Sequence, residues 1–251
     1  MSKIIAAIDN SAASGPVVAM AHAVASALDA PLEVLHVIED GAETARAVAQ
    51  AGGMQLRTLV GDPLAMLSLA MEKEDASILV MGARSRPSGR RPAGHLPMAL
   101  ATHSDRPIVV VPPDFCPPEH LTTVVVAMEG TPGKARALRR NVELSISAGG
   151  QVVVLHVEGK NDIPSFSDQM QHETEAYAKE FLARHKVTAS GIRLELRIGD
   201  PAAEVLSAIE TDGADLVAVG WPHSDNANRG AVARVILERS PIPVLLMALD
   251  Y

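Results

Sequence analysis

The chain has 251 residues, of which 47% are hydrophobic and 21% charged, a balance that excludes a disordered chain and suits one large domain or two of ordinary size. Aromatic residues are 2% of the total, and 22 Lys and Arg stand against 30 Asp and Glu for a net charge of -8. These figures argue against an aromatic platform for single-stranded nucleic acid and against the basic surface of a general nucleic-acid binder.

In chain order, the first half reads as strand 3–9, helix 12–29, strand 32–38, short helix 42–51, strand 54–60, helix 63–74, strand 77–82, a loop, helix 95–104 and strand 107–112. The strands are apolar on both faces, as in parallel sheets covered by helices. Asp62-Pro63 reads as a helix start, with the carboxylate capping free N–H groups and proline at the first helical position. The stretch 112–120 holds four prolines, which suits a stiff linker and neither helix nor central strand.

Beyond that stretch the order repeats. The first strand, ending in Ile8-Asp9, is answered by Thr123 to Glu129, and Leu35-His36-Val37 by Leu155-His156-Val157. Gly61-Asp62-Pro63 is answered by Gly199-Asp200-Pro201, and the strand into Gly82 by the strand into Gly220. The last strand, 107–112, is answered by 242–248. An ordered set of matches indicates tandem duplication. The expected fold is α/β: two tandem, doubly wound, five-stranded parallel-sheet domains at 1–113 and 122–251, joined by a linker at 114–121. The last strand of each half is an apolar edge that needs covering. Between its second and third strands the second half is longer, with room for a helix between Phe166 and His185.

In such sheets ligands bind at the carboxyl ends of the strands, where the winding reverses. The loop after the fourth strand, Gly82 to His95, is the most informative segment. It carries Arg84, Ser85, Arg86, Arg90 and Arg91, then Gly94 opens a helix. Glycine permits close backbone approach, a helix start offers free N–H groups, and arginine pairs with phosphate oxygens, so the loop reads as a phosphate cradle. The same composition also describes a solvated surface loop. The loop from Gly220 to Gly230 has one arginine and adds Asp225, which repels phosphate. Trp221, the one tryptophan, either stacks on a base or fills a gap between the halves.

These motifs together resemble a tandem universal stress protein over nearly the full length. Members that bind ATP have Gly-x2-Gly-x9-Gly-(Ser/Thr) after the fourth strand. Here Gly82 matches, Ser85 replaces the second glycine, Gly94 arrives one residue early, and His95 stands where Ser or Thr is usual. In the second half Gly220 and Gly230 remain, but His223 replaces the middle glycine, the spacer is three residues short, and Ala231 lacks the hydroxyl. The resemblance implies that Asp9 faces the ribose and adenine side and that the Val37 backbone reads the adenine edge. Arg84, Ser85, Arg90, Gly94 and His95 then complete a first-half site for ATP or a related adenine nucleotide, with Mg²⁺. A degenerate second site would hold Glu129, Val157, Gly220 and Gly230. The implied role is a stress regulator acting through protein partners, with the two halves meeting at the last-strand edge; whether whole chains pair further is open, with a two-fold homodimer as the default. An interaction protein with decayed loops and a slow nucleotide hydrolase using His95 or His223 stay open as alternatives.

Other chemistries find little support. His103-Ser-Asp105 and His223-Ser-Asp225 do not align in the repeat, and neighbouring residues cannot supply triad geometry. P-loop and dinucleotide glycine patterns are absent, and the nine histidines show no metal-ligand spacing. His36 and His156 lie in apolar strands and read as structural. The scattered methionines read as core filler. The single cysteine, Cys116, leaves no internal disulfide. The start MSKIIAAIDN lacks a signal-peptide pattern, and no run of about 18 apolar residues occurs, so a cytoplasmic protein is expected.

Overall fold

A computed structural model describes residues 3–11, 13–38, 41–73, 76–83, 95–128, 150–158, 192–222 and 230–249. The first half comprises β1 (Lys3–Ile8), α1 (Ser14–Ala27), β2 (Leu32–Ile38), α2 (Glu43–Ala51) and β3 (Leu56–Val60). It continues with α3 (Pro63–Lys73), β4 (Ala76–Gly82), α4 (His95–His103) and β5 (Ile108–Val111). The second half contributes β6 (Thr123–Met128), β7 (Gln151–Glu158), β8 (Ile192–Ile198), α5 (Pro201–Thr211), β9 (Leu216–Pro222), α6 (Ala231–Arg239) and β10 (Val244–Leu249). The helix expected between Phe166 and His185 lies outside the described residues.

All ten strands join one sheet in the order β3-β2-β1-β4-β5-β10-β9-β6-β7-β8. Among the described residues, pairing is parallel within each half and antiparallel only between β5 and β10, where Ile108, Val109 and Val110 face Leu246, Leu245 and Val244. Each last strand thus covers the other's edge, as the sequence led us to expect, and the two halves form a pseudo-dimer.

Successive strand residues point to opposite faces, so a strand buried on both sides must be apolar throughout. On one face Ile4, Ala6 and Ile8 pack with Val17, Met20, Ala21 and Val24 of α1 and Ala45 and Ala49 of α2. On the other, Ile5, Leu35 and Leu79 pack with Leu67 and Met71 of α3 and Leu100 of α4. Each cluster continues into the second half, to Val124 and Val154 on the first face and to Ile209 and Ile236 on the second. Met20, Met71 and Met81 are buried, which bears out their reading as core filler.

Both Asp-Pro pairs start helices. Asp62 Oδ1 accepts the Ala65 N–H and Asp200 Oδ1 accepts the Ala203 N–H, each at 2.9 Å. Several boundaries differ from expectation by one or two residues, such as α1 at Ser14–Ala27 rather than 12–29 and β10 at Val244–Leu249 rather than 242–248, and two of the differences have a visible cause. The third strand begins at Leu56 rather than residue 54, because Gly53 (φ +71°) and Met54 still close α2 through bonds to Gln50 and Ala49. The ninth strand runs past Gly220 to Pro222, since Trp221 and Pro222 pair with Ala248 and Leu249.

Candidate functional site

In the first half the winding reverses at β1, which has β2 on one side and β4 on the other. A cleft of about 720 Å³ opens there, within the usual range for ligand sites. It is lined by Asp9 and its neighbours, His36 and Val37 of β2, Met81 and Gly82 of β4, Pro63 of α3, and His95 at the start of α4.

Asp9 is held at one oxygen. Its Oδ1 accepts Ser11 Oγ at 2.6 Å and the Ser11 N–H at 3.2 Å, and Ser14 Oγ lies 2.8 Å away. Ser14 Oγ also accepts the Asp9 N–H at 3.1 Å and lies 3.0 Å from the Asp9 carbonyl. Ser14 is buried at the first position of α1, so this network fixes the carboxylate beside the helix's positive end. No hydrogen bond reaches Asp9 Oδ2 among the described residues, which leaves one oriented acceptor beside the cleft.

The Ile4 N–H donates to the Pro31 carbonyl at 2.8 Å. Backbone groups alternate in direction along a strand, so the odd-numbered residues of β2 turn theirs toward β1. The β1 ladder ends at Ile8 opposite His36. The Val37 carbonyl therefore reaches past the end of β1, where that strand no longer covers it.

His36 is 4% exposed and straps this corner together. Its Nδ1 lies 2.9 Å from the Ile8 carbonyl and its Nε2 2.9 Å from the Gly41 carbonyl. His156 repeats the first contact, with Nδ1 3.4 Å from the Met128 carbonyl. Each ring thus contacts the carbonyl that ends the first strand of its half.

Asn10 is a residue that the motif search passed over. Its Oδ1 accepts the Thr44 N–H at 2.8 Å and the Ala45 N–H at 3.1 Å, capping α2, whose own N-cap Ala42 offers no side chain for the task. A polar residue directly after the first strand was the available signal; its partner lies 34 residues away and gives none. At the same helix start, the Glu43 and Ala42 N–H groups hold the Glu43 carboxyl below its ordinary value of 4.5, with smaller help from Arg46 and Asn10 and opposed by burial. A lowered carboxyl stabilises the fold above the unfolded midpoint, and that contribution is lost as pH falls through the folded one. A carboxyl-carbon NMR titration should therefore place Glu43 below 4.5, and a midpoint at or above it would show that the helix start does not hold the carboxylate.

Of the expected first-half residues, Asp9, Val37, Gly82 and His95 come together at the cleft. Arg84, Ser85, Arg90 and Gly94 lie outside the described residues, as does Glu129 of the second half. Val157 stands near the end of β7, Gly220 lies inside β9, and Gly230 adopts φ +76° to open α6. Trp221 is 2% exposed, and its Nε1–H donates to Thr102 Oγ1 of α4 at 3.3 Å, so it fills the gap between the halves. Among the described residues no cluster of His, Cys, Asp and Glu is arranged to hold a metal ion, and no helix is long and apolar enough to cross a membrane.

The profile of the universal stress protein family matches residues 1–57 and 120–247. No curated protein matches the chain. Among solved structures, a universal stress protein from Archaeoglobus fulgidus is 17% identical with a TM-score of 0.70, covering 99% of this chain and 98% of that one. A putative universal stress protein from Pseudomonas aeruginosa is 14% identical with a TM-score of 0.74, covering 100% and 94%. A family protein from Arabidopsis thaliana with AMP bound matches only half of this chain: it is 18% identical with a TM-score of 0.37, covering 51% of this chain and 92% of its own. With both the profile match and full-length likeness in fold, the chain belongs to the universal stress protein family.

Proposed function

We propose that the first half binds an adenine nucleotide, ATP or a close relative with Mg²⁺, and that the protein regulates partners according to that occupancy. The supporting observation is the oriented Asp9 carboxylate in a cleft of about 720 Å³ at the switch point. On this reading Asp9 Oδ2 accepts a ribose hydroxyl and the Val37 carbonyl accepts an exocyclic amine. On this reading Gly82 lets the phosphates pass close to the backbone, and the free N–H groups at the start of α4, at His95, face them. Arg84, Ser85, Arg90 and Gly94 complete the phosphate end. The second half, with Glu129, Val157, Gly220 and Gly230, is a weaker or vestigial counterpart. Its shortened spacer and Ala231 remove phosphate contacts. No catalytic residue is assigned.

The test is calorimetric titration of the full chain with ATP, with and without Mg²⁺ and at two temperatures. One nucleotide per chain is expected. Asp9→Asn keeps Oδ1 and neutralises the charge; it should weaken binding roughly tenfold or more, the loss of a hydrogen bond to a charged group. Charge reversal at Arg84 together with Arg90 should weaken it without unfolding the domain. Two nucleotides per chain would correct the view of the second half. No heat at either temperature would overturn the nucleotide reading in favour of an interaction protein with decayed loops.

A further inference from the structure

Trp221 touches both helices that follow the two candidate phosphate loops. It stands at the carboxyl end of β9, one residue past Gly220, and is 2% exposed. Its Nε1–H donates to Thr102 Oγ1 on α4 at 3.3 Å. The Thr102 hydroxyl donates in turn to the Met98 carbonyl at 2.9 Å, which ties the contact to the preceding turn of α4. The Arg234 guanidinium of α6 lies over the indole ring, 5.4 Å from its centroid. One side chain of the second half thus bridges α4, which begins at the first-half cleft, and α6, which begins at Gly230.

Neither contact is saturated. A 3.3 Å bond is near the long end of useful N–H···O geometry. Arg234 Nε is buried and has no hydrogen-bond partner among the described residues, so the ring face is its main local compensation. A small shift of α4 therefore changes the Thr102 contact directly, and the Arg234 contact only as far as the indole moves with it. The helix has nine residues, about two and a half turns, so His95 and Thr102 stand about two turns apart on one rigid element.

We propose that Trp221 relays occupancy of the first-half cleft to the second half. Ligand at the start of α4 shifts the balance between a Trp221 bonded to Thr102 and one released from it, and α6 follows through Arg234. A ligand moves such a balance only as far as it binds one state better than the other. The inference rests on the nucleotide reading for its ligand, and it names the regulation of that same site.

The chain has one tryptophan, so tryptophan emission reports on this junction alone. MgATP added to the full chain should change Trp221 fluorescence with the midpoint found by calorimetry. Asp9→Asn should shift both midpoints together. Thr102→Val, outside the cleft, should still give binding heat and lose the fluorescence change. Amide exchange over 231–239 should respond to MgATP in the wild type and not in Thr102→Val. Heat without a fluorescence change in the wild type would overturn the relay and leave the nucleotide reading standing, whereas no heat would overturn both. A fluorescence change that ignores Asp9→Asn, or survives Thr102→Val, would mean that ligand acts on the indole by another route and would also overturn the relay.

Discussion

Leu246→Ala should lower the unfolding free energy by about 2–5 kcal/mol, the usual cost of truncating a fully buried leucine. Leu246 is 1% exposed and sits on β10 between Ile108 of β5 and Val219 of β9. Its core cluster runs from Leu35 in the first half to Ile236 in the second, so the cavity would open where both halves share packing. The measurement is urea denaturation followed by circular dichroism. A seam that makes the halves one cooperative unit predicts a single transition at lower urea. Two separated transitions would show instead that the halves unfold independently and that the β5–β10 pair is a contact between separate folding units. Val60→Ala is the reference. Val60 is 79% exposed, and surface substitutions of this kind stay within about 0.5 kcal/mol.

The order of the elements and the seam were legible because both rest on local, repeated signals. Strands apolar on both faces require a covered parallel sheet, and an apolar last strand in each half requires a cover, which the other half supplies. Asp62 and Asp200 could be assigned as caps because the cap and the capped N–H lie three residues apart. The site was legible in part. Asp9, Val37 and Gly82 were legible because strand ends at a switch point can be read from chain order, and His95 because it follows the loop glycines at the start of a helix. Asn10 capping α2, Ser14 holding Asp9 and His36 strapping two loops were not assigned those roles. The Asn10 contact with Thr44 and the His36 contact with Ile8 join residues far apart in the chain and are set by tertiary placement, whereas Ser14–Asp9 spans five residues across a turn whose shape chain order does not specify. Trp221 shows the same limit: composition marks it as singular, but only the packing of β9 against α4 and α6 shows which elements it joins.

His36→Leu should cost about 1–3 kcal/mol, the penalty for stranding a buried polar group, and should also weaken MgATP binding. Each ring nitrogen lies within hydrogen-bonding distance of a carbonyl, that of Ile8 or that of Gly41, and leucine donates to neither. The apolar replacement preserves bulk in the core, so the loss falls on the strap rather than on packing. Ile8 directly precedes Asp9, and His36 directly precedes Val37, so freeing the strap loosens both acceptors of the proposed nucleotide site at once. Gly41 leads into the start of α2, where Asn10 caps Thr44 and Ala45, so that wall of the cleft loosens with it. Leu246→Ala separates the two effects, because it removes comparable stability at the seam without touching the cleft lining. Under conditions where all proteins are folded, Leu246→Ala should keep the wild-type calorimetric affinity while His36→Leu loses it. Equal affinity in both would confine His36 to stability. A loss in both would mean that the seam and the cleft are energetically linked, and Thr102→Val in the same assay would then show whether α4 carries that link.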